Sequence, residues 1–154
     1  MPATVLRPAV ELDPGQPFEC SVQVAWATFT TGFDLAILAA SCQAVECQRI
    51  AVFDVLIRNS DRKTDNWGLL NDSAVIRLFD NGNAHNPGSG FQSDHFEVCR
   101  GQSLPDEVRA ALGQFVANRA ASRLPEVLDP AQSDAVFARA ERLLSGGTFE
   151  PPGV

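Results

Sequence analysis

The chain has 154 residues, 45% of them hydrophobic and 20% charged, which is the composition of one ordinary globular domain. Its formal net charge of −7 argues against nucleic-acid binding, which needs a basic face, and against an electrostatic hold on anionic lipid. The longest apolar run, Leu35 to Ala40, is too short to span a bilayer, and no signal peptide is evident at the N-terminus. The four cysteines lack zinc spacing. We expect a cytoplasmic protein with reduced thiols and without stable membrane insertion.

Local sequence signals divide the chain into three parts. Residues 1–19 contain four prolines and predict an extended N-terminal arm that lies on the domain. The domain itself is predicted over residues 20–147, and residues 148–154 are predicted to be a flexible tail.

The first half of the domain is predicted to contain two helices. Thr31, followed by Asp34, has the spacing of a capping box and predicts a helix that runs through Ser41. A second helix is predicted from about Val45 to Ile57. Because its second half is apolar around most of its circumference, we expect this helix to be central.

A polar loop and a small β-hairpin follow the second helix. The loop begins with Arg58-Asn59-Ser60-Asp61 and leads into a first strand at Trp67-Gly68-Leu69-Leu70. A turn at Asn71-Asp72-Ser73 precedes a second strand that ends at Phe79-Asp80-Asn81-Gly82.

The remaining segments predict a loop and three helices. Residues 83–90 are rich in Asn, Pro, Gly and Ser and predict a loop. Helices are then predicted from Ser103-Leu104-Pro105-Asp106, over a short stretch near Leu124, and from Asp129-Pro130 to Gly146-Gly147. The fold class predicted is therefore mainly α with one small β-hairpin.

Three polar residues have the chemistry and the order of a phosphoryl-transfer site. Asp61 and Asn66 are five residues apart, and Asp80 follows fourteen residues later, after the predicted second strand. Hard cations such as Mg²⁺ take oxygen ligands, which amides and carboxylates supply, and a further carboxylate can accept the proton of an attacking hydroxyl. Asn and Asp also cap ordinary loops, so the ordered set carries the signal rather than its separate parts.

The loop, read from Arg58 to Trp67, resembles the catalytic loop of type II phosphatidylinositol 4-kinases, and Phe79-Asp80-Asn81-Gly82 resembles their metal-binding turn. Both are also similar to the HipA-like kinases of bacterial toxin–antitoxin systems. Over residues 45–85 the resemblance implies the C-terminal, catalytic-loop lobe of an atypical kinase of the phosphatidylinositol 3-/4-kinase superfamily, a protein-kinase-like large lobe.

The resemblance also implies a role for each motif residue. Asp61 would be the catalytic base, and Asn66 and Asp80 would bind Mg²⁺ or Mn²⁺ together with the phosphates of ATP. Lys63 matches the lysine that contacts the γ-phosphate in many protein kinases, whereas the lipid kinases have Gly there. Four residues after the turn are candidate substrate contacts in a substrate loop: Asn83, His85, Asp94 and His95.

Two parts of a complete kinase are not found in the sequence. Lys63 is the only lysine, so none is left for the small-lobe position, and no Gly-rich phosphate loop precedes the motif. One interpretation is the large-lobe part of a split or truncated kinase, with an unknown acceptor, a small lobe from a protein partner and little activity as an isolated chain. The alternatives are a pseudokinase or regulatory module that binds without turnover, and a fold used only for interaction.

Overall fold

The computed structural model describes residues 5–13, 16–22, 29–31, 45–70, 76–78, 80–85 and 90–152. The strands are β1 (Val5–Asp13), β2 (Gln16–Val22), β3 (Phe29–Thr31), β4 (Trp67–Leu70) and β5 (Ile76–Leu78). The α-helices are α1 (Val45–Ile57), α2 (Asp94–Cys99), α3 (Asp106–Ala117) and α4 (Pro130–Gly146), with 3-10 turns at Thr64–Asn66, Arg119–Ala121 and Leu124–Glu126. The described residues are mainly helical, as predicted.

The β structure exceeds the single predicted hairpin. Strands β1 and β2 form an antiparallel pair, and this pair crosses the boundary predicted at residue 20 between an extended arm and the domain. The register of the pair shifts between Arg7 and Val10, on either side of Pro8. Proline has no N–H to donate to the ladder, so within strands it occurs mainly at edges and at irregularities such as this one. The prolines that suggested an arm are therefore compatible with a strand pair.

The predicted hairpin is confirmed, and a third strand extends it. Strand β4 pairs antiparallel with β5 on one side and with β3 on the other. Thr31, predicted to cap a helix, lies in β3 opposite Gly68. The helix predicted from there to Ser41 lies outside the described residues, as does the predicted turn at 71–73.

Helix α1 is central, as its apolar sequence predicts. It packs against α2, α3 and α4, and the core formed around it includes Phe96, Val108, Leu112 and Leu143. The predicted end of this helix at Ile57 is confirmed, and the helix is described from Val45 onwards.

The ends of α3 and α4 follow local rules with one exception. The carboxylate of Asp129 accepts from the backbone N–H of Gln132, whose side chain accepts from the backbone N–H of Asp129, so α4 begins with a capping box. Gly147 ends α4 at φ 70°, a left-handed conformation that glycine adopts without strain. Ser103, in contrast, does not cap α3, because the N-cap position is Pro105; the backbone of Ser103 forms a β-bridge with Thr148.

The prediction of a flexible tail over residues 148–154 is wrong for the part that the structure describes. Phe149 is 1% exposed and belongs to the core. Its backbone N–H donates to the carbonyl of Gln102, and its carbonyl accepts from the N–H of Gly101. The buried ring repays the cost of ordering the segment, which local sequence signals could not reveal.

No helix among the described residues is both long enough and apolar enough to cross a lipid bilayer.

Candidate functional site

The polar loop after α1 is fixed by its backbone on two sides. The N–H of Asn59 donates to the Asp54 carbonyl, which closes the end of α1. On the other side the loop runs parallel to residues 92–94, where the N–H of Arg62 donates to Gln92 and its carbonyl accepts from Asp94. The loop therefore lies between α1 and the start of α2, although these elements are distant in sequence.

A fully buried ion pair lies beneath the loop. The Nε of Arg62 donates to Oδ1 of Asp54 over 3.2 Å, and both side chains are 0% exposed. Ser93 Oγ donates to the other carboxylate oxygen at 2.7 Å, and Asn59 Nδ2 lies 3.4 Å from Oδ1. Burial raises the pKa of Asp54, and the charge of Arg62 and these hydrogen bonds oppose that shift. A buried pair with its remaining hydrogen-bonding groups satisfied can persist without water.

The guanidinium group of Arg62 also connects the loop to the turn that contains Asp80 and Asn81. Arg62 Nη1 donates to the backbone carbonyl of Asn66 at 2.7 Å, and Nη2 donates to Oδ1 of Asn81. Sequence reasoning assigned no role to Arg62, Asp54 or Ser93. The available signal was Asp54 itself, a carboxylate within an otherwise apolar half of a central helix, where a charge requires a partner.

Asp61, Lys63 and Asn66 come together above this pair. Asn66 is 6% exposed, and its Nδ2 donates to the backbone carbonyl of Asp61 at 2.5 Å and lies 3.3 Å from Oδ2 of Asp61. Lys63 Nζ lies 3.1 Å from Oδ1 of Asp61, with about half of the lysine side chain exposed. The 3-10 turn at Thr64–Asn66 brings these residues together across the spacing that the sequence predicted.

The turn that contains Asp80 is attached to the loop at several points. Asn83 Nδ2 lies 3.5 Å from Oδ2 of Asp61, and the Asn83 carbonyl accepts from Ser60 Oγ at 3.0 Å. Asp80 is exposed, and its carboxylate makes no hydrogen bond or ion pair with another described residue. Asp80 directly precedes Asn81, and the side chain of Arg62 holds Asn81 beside the loop.

Backbone strain is concentrated around this arrangement. Three described residues other than glycine have a left-handed backbone, and they flank the loop and the turn: Arg58 (φ 50°), Asp80 (φ 50°) and His85 (φ 60°). Each such residue costs of the order of 1 kcal/mol and persists only where its surroundings hold it. For His85 that support includes a hydrogen bond from its N–H to the Ile57 carbonyl, 2.8 Å long.

Two of the metal ligands predicted from the sequence, Asn66 and Asp80, each keep an oxygen that accepts no hydrogen bond from the described residues. Because Nδ2 of Asn66 is used by Asp61, Oδ1 is the atom left to act as a ligand, and among the described residues no donor bonds to it. The exposed Asp80 carboxylate is the second candidate ligand. No group of three or more His, Cys, Asp or Glu residues suited to a metal exists within the described ranges. Mg²⁺ is commonly held in this way, by one or two protein oxygens plus substrate phosphates and water.

Two of the four candidate substrate contacts do not lie in a loop. Asp94 and His95 form the first turn of α2, where Ser93 caps the helix by accepting from the N–H of Phe96. Burial raises the pKa of Asp94, as does the nearby charge of Glu97. Asp94 and His95 therefore lie in a helix and not in the predicted substrate loop.

His95 is a core residue and cannot contact a substrate in this structure. It is 0% exposed, and its ring meets that of Trp67 edge to face with centroids 4.9 Å apart. Neither ring nitrogen has a hydrogen-bond partner among the described residues. Burial, together with the charge of Arg62, lowers the pKa of His95 to about 3, so the ring is neutral at physiological pH. Of the four candidates, Asn83 is the one placed beside Asp61.

Comparison of the chain with protein-family models gives no match, and comparisons with curated proteins and with solved structures give no significant match.

Proposed function

We propose that this chain carries the catalytic loop and metal-type turn of a kinase and takes part in Mg²⁺- and ATP-dependent phosphoryl transfer as the large-lobe part of a split or truncated enzyme. The observation that carries the proposal is the arrangement of Asp61, Lys63 and Asn66, in which an Asp carboxylate, a lysine and an amide lie within 3.3 Å of their neighbours. The ordered sequence motif and the Asp80 turn bonded to the same loop support it.

Each residue has a definable role in such a reaction. Asp61, about a quarter exposed, would orient the acceptor hydroxyl and take its proton as transfer proceeds. Lys63 would leave its 3.1 Å contact with Asp61 to neutralise a terminal phosphate, as a compact point charge. Oδ1 of Asn66 and the carboxylate of Asp80 would hold the divalent ion, which neutralises phosphate charge when bound.

The buried pair beneath the loop supplies rigidity for this chemistry. Positioning and electrostatic stabilisation account for most catalysis of phosphoryl transfer, and both require that the groups keep their geometry. Arg62 contacts the backbone of Asn66 and the side chain of Asn81, so one guanidinium fixes the loop and the turn relative to each other.

A pseudokinase is the second candidate, and the position of Lys63 favours it. Lys63 is the only lysine among the 154 residues, so no second lysine is present for the α- and β-phosphates. Lys63 itself is already paired with the proposed base, Asp61. The chain would then bind a metal–nucleotide complex or a regulatory partner without turnover. Loss of one preorganised charged contact typically lowers the rate about a hundredfold or more.

Calorimetry with Mn²⁺ and ATP tests the location of the site. We expect weak binding heat that Asp80→Ala abolishes, because the mutant lacks a ligand oxygen. Asp65→Ala is the matched control, since Asp65 is an exposed acidic residue of the same loop outside the proposed set. Equal heat with Asp80→Ala and the unmodified chain would refute the proposed site.

Radiolabelled ATP then separates the two candidates. With the purified chain alone and lipid, protein or self-phosphorylation acceptors, we expect negligible transfer. Robust transfer that disappears in Asp61→Ala would show that this chain suffices, and the proposal of a missing small lobe would be wrong. Transfer that appears only with an added small-lobe protein, and requires Asp61, would favour the split kinase over the pseudokinase.

A further inference from the structure

A polar cleft lies where the end of α1 meets the first half of α4. It has a volume of about 340 Å³ and is lined by the end of α1, the turn at residue 85 and the first half of α4. The polar lining residues are Arg58, His85, Asp129, Gln132 and Arg139. None of the proposed metal ligands contributes to this lining.

The cleft concentrates positive charge in an acidic protein. Arg139 is half-buried, and no carboxylate among the described residues forms an ion pair with it; its Nε donates to the Leu56 carbonyl at 2.8 Å. Burial lowers the pKa of Arg139, and the nearby cations Arg58 and Arg142 add to that shift. Asp129 lines the same cleft, but it forms no ion pair with Arg139. Clustered cations that repel one another at a concave surface indicate a site for an anion.

The N-terminus of α4 is not the source of the attraction for an anion. Its N-terminal N–H groups are already partly satisfied, because Asp129 and Gln132 form the capping box described above. Asp129 contributes a negative charge to the wall, and it raises the pKa of His85 while burial and Arg139 lower it more strongly. The attraction for an anion therefore comes from the arginines, with His85 neutral at physiological pH.

We propose that this cleft binds a phosphate-class anion at the guanidinium group of Arg139, with the positive charge of Arg58 nearby in the same lining. Guanidinium groups suit this ligand because they remain charged and present planar pairs of donors that match phosphate oxygens. The size of the cleft accommodates a phosphate and part of the molecule that carries it. The proposal is independent of the kinase proposal, since it involves neither the nucleotide site nor a divalent ion.

Titration of the full chain with inorganic phosphate, followed by NMR of arginine side chains, tests the site directly. The Nε–H signal of Arg139 reports on the cleft, and we expect it to shift saturably with a Kd of the order of 1 mM. Added NaCl weakens the binding because it screens the charges. A second arm uses inositol monophosphate in place of phosphate. Tighter binding of the ester identifies a phosphomonoester as the ligand, and equal binding identifies the phosphate group alone.

Ala135 provides a variant that leaves the arginines in place. It lines the cleft one helical turn before Arg139, so Ala135→Glu brings a carboxylate to the arginines on the same face of α4. We expect this substitution to weaken phosphate binding about tenfold. Ala135→Gln has nearly the same size without the charge and should bind within about twofold of the unmodified chain.

Arg139→Gln and Arg123→Gln complete the design. Arg123 is exposed, precedes the 3-10 turn at Leu124–Glu126 and pairs with Glu126, so its replacement removes one charge that does not belong to the cleft lining. For phosphate binding to Arg139→Gln, followed by the amide signals of residues in the cleft wall, we expect at least fivefold weakening, whereas Arg123→Gln should show almost none. Absence of saturable shifts in both arms, or unchanged binding by the folded Ala135→Glu variant, would overturn the proposal.

Discussion

The buried imidazole of His95 makes the stability of the protein depend on pH in a defined direction. Its pKa is about 3 in the folded chain, compared with 6.5 for an unperturbed histidine. Below pH 6.5 the unfolded chain binds a proton that the folded chain does not. The stabilisation is therefore complete above pH 6.5, decreases as the pH falls, and stops changing below the folded pKa.

The size of the effect follows from the difference in pKa. Each pH unit between the two values contributes about 1.4 kcal/mol, so this residue alone should lower the free energy of unfolding by about 2 kcal/mol between pH 7 and pH 5. For a chain of this length that loss corresponds to a decrease in melting temperature of about 4–8 °C.

Replacement of His95 by leucine isolates this contribution. The substitution removes two buried ring nitrogens that lack partners among the described residues, which offsets the lost contact with Trp67. We expect His95→Leu to lie within about 1 kcal/mol of the unmodified chain at pH 7 and to be about 2 kcal/mol more stable than it at pH 5. Urea unfolding of both proteins at pH 7 and at pH 5 measures how the difference in their free energies of unfolding changes with pH.

Replacement of His85, the other histidine of the chain, provides the control. It is half-buried, and its pKa is lowered by burial first and by Arg139 second, with Asp129 opposing. His85→Gln should retain most of the pH dependence because His95 is still present. If His95→Leu loses stability between pH 7 and pH 5 as steeply as the unmodified chain, the buried neutral histidine does not cause the effect and the reasoning is refuted.

Three further predictions concern stability and can be measured by urea unfolding at pH 7. Asp54→Ala should cost about 3–5 kcal/mol because it leaves the Arg62 charge buried without its carboxylate; a loss below about 1 kcal/mol would contradict the buried pair. Asp129→Ala should cost about 1 kcal/mol through loss of the capping box, and no loss would show that the cap is not formed. Gly147→Ala should cost about 1 kcal/mol because φ is 70°, whereas Gly113→Ala, within α3 and in open space, should gain up to about 1 kcal/mol; equal effects at the two glycines would contradict the helix end.

The elements that could be predicted are those whose causes are local. The position of α1 follows from a run of apolar residues, and the bounds of α4 follow from Asp129-Pro130 at its start and Gly147 at its end. The contact between Asp61 and Asn66 is local too, because the two residues are five apart and the 3-10 turn at Thr64–Asn66 brings the chain back toward Asp61. Sequence spacing is enough in these cases because the interacting groups are within a few residues of each other.

The features that could not be predicted depend on distant partners. Ser93 bonds to Asp54 across 39 residues, and nothing near either residue reveals the other. Helix α2 was missed because it has only six residues and lacks an acidic or amide side chain at its third position, where a capping box would show it. His95 was consequently assigned to a loop, although tertiary packing places it in the core.

The burial of Phe149 also has a consequence for how the protein is made. Its ring belongs to the same core as the buried residues of α1, and its carbonyl accepts from the N–H of Gly101. Gly101 precedes Phe149 by 48 residues. A chain emerging from the ribosome therefore exposes an open apolar site next to Gln102 until residue 149 has been synthesised and released from the tunnel. Such transient surfaces are where nascent chains associate with one another or recruit chaperones. Yield during expression should thus be sensitive to how quickly the segment around Phe149 becomes available.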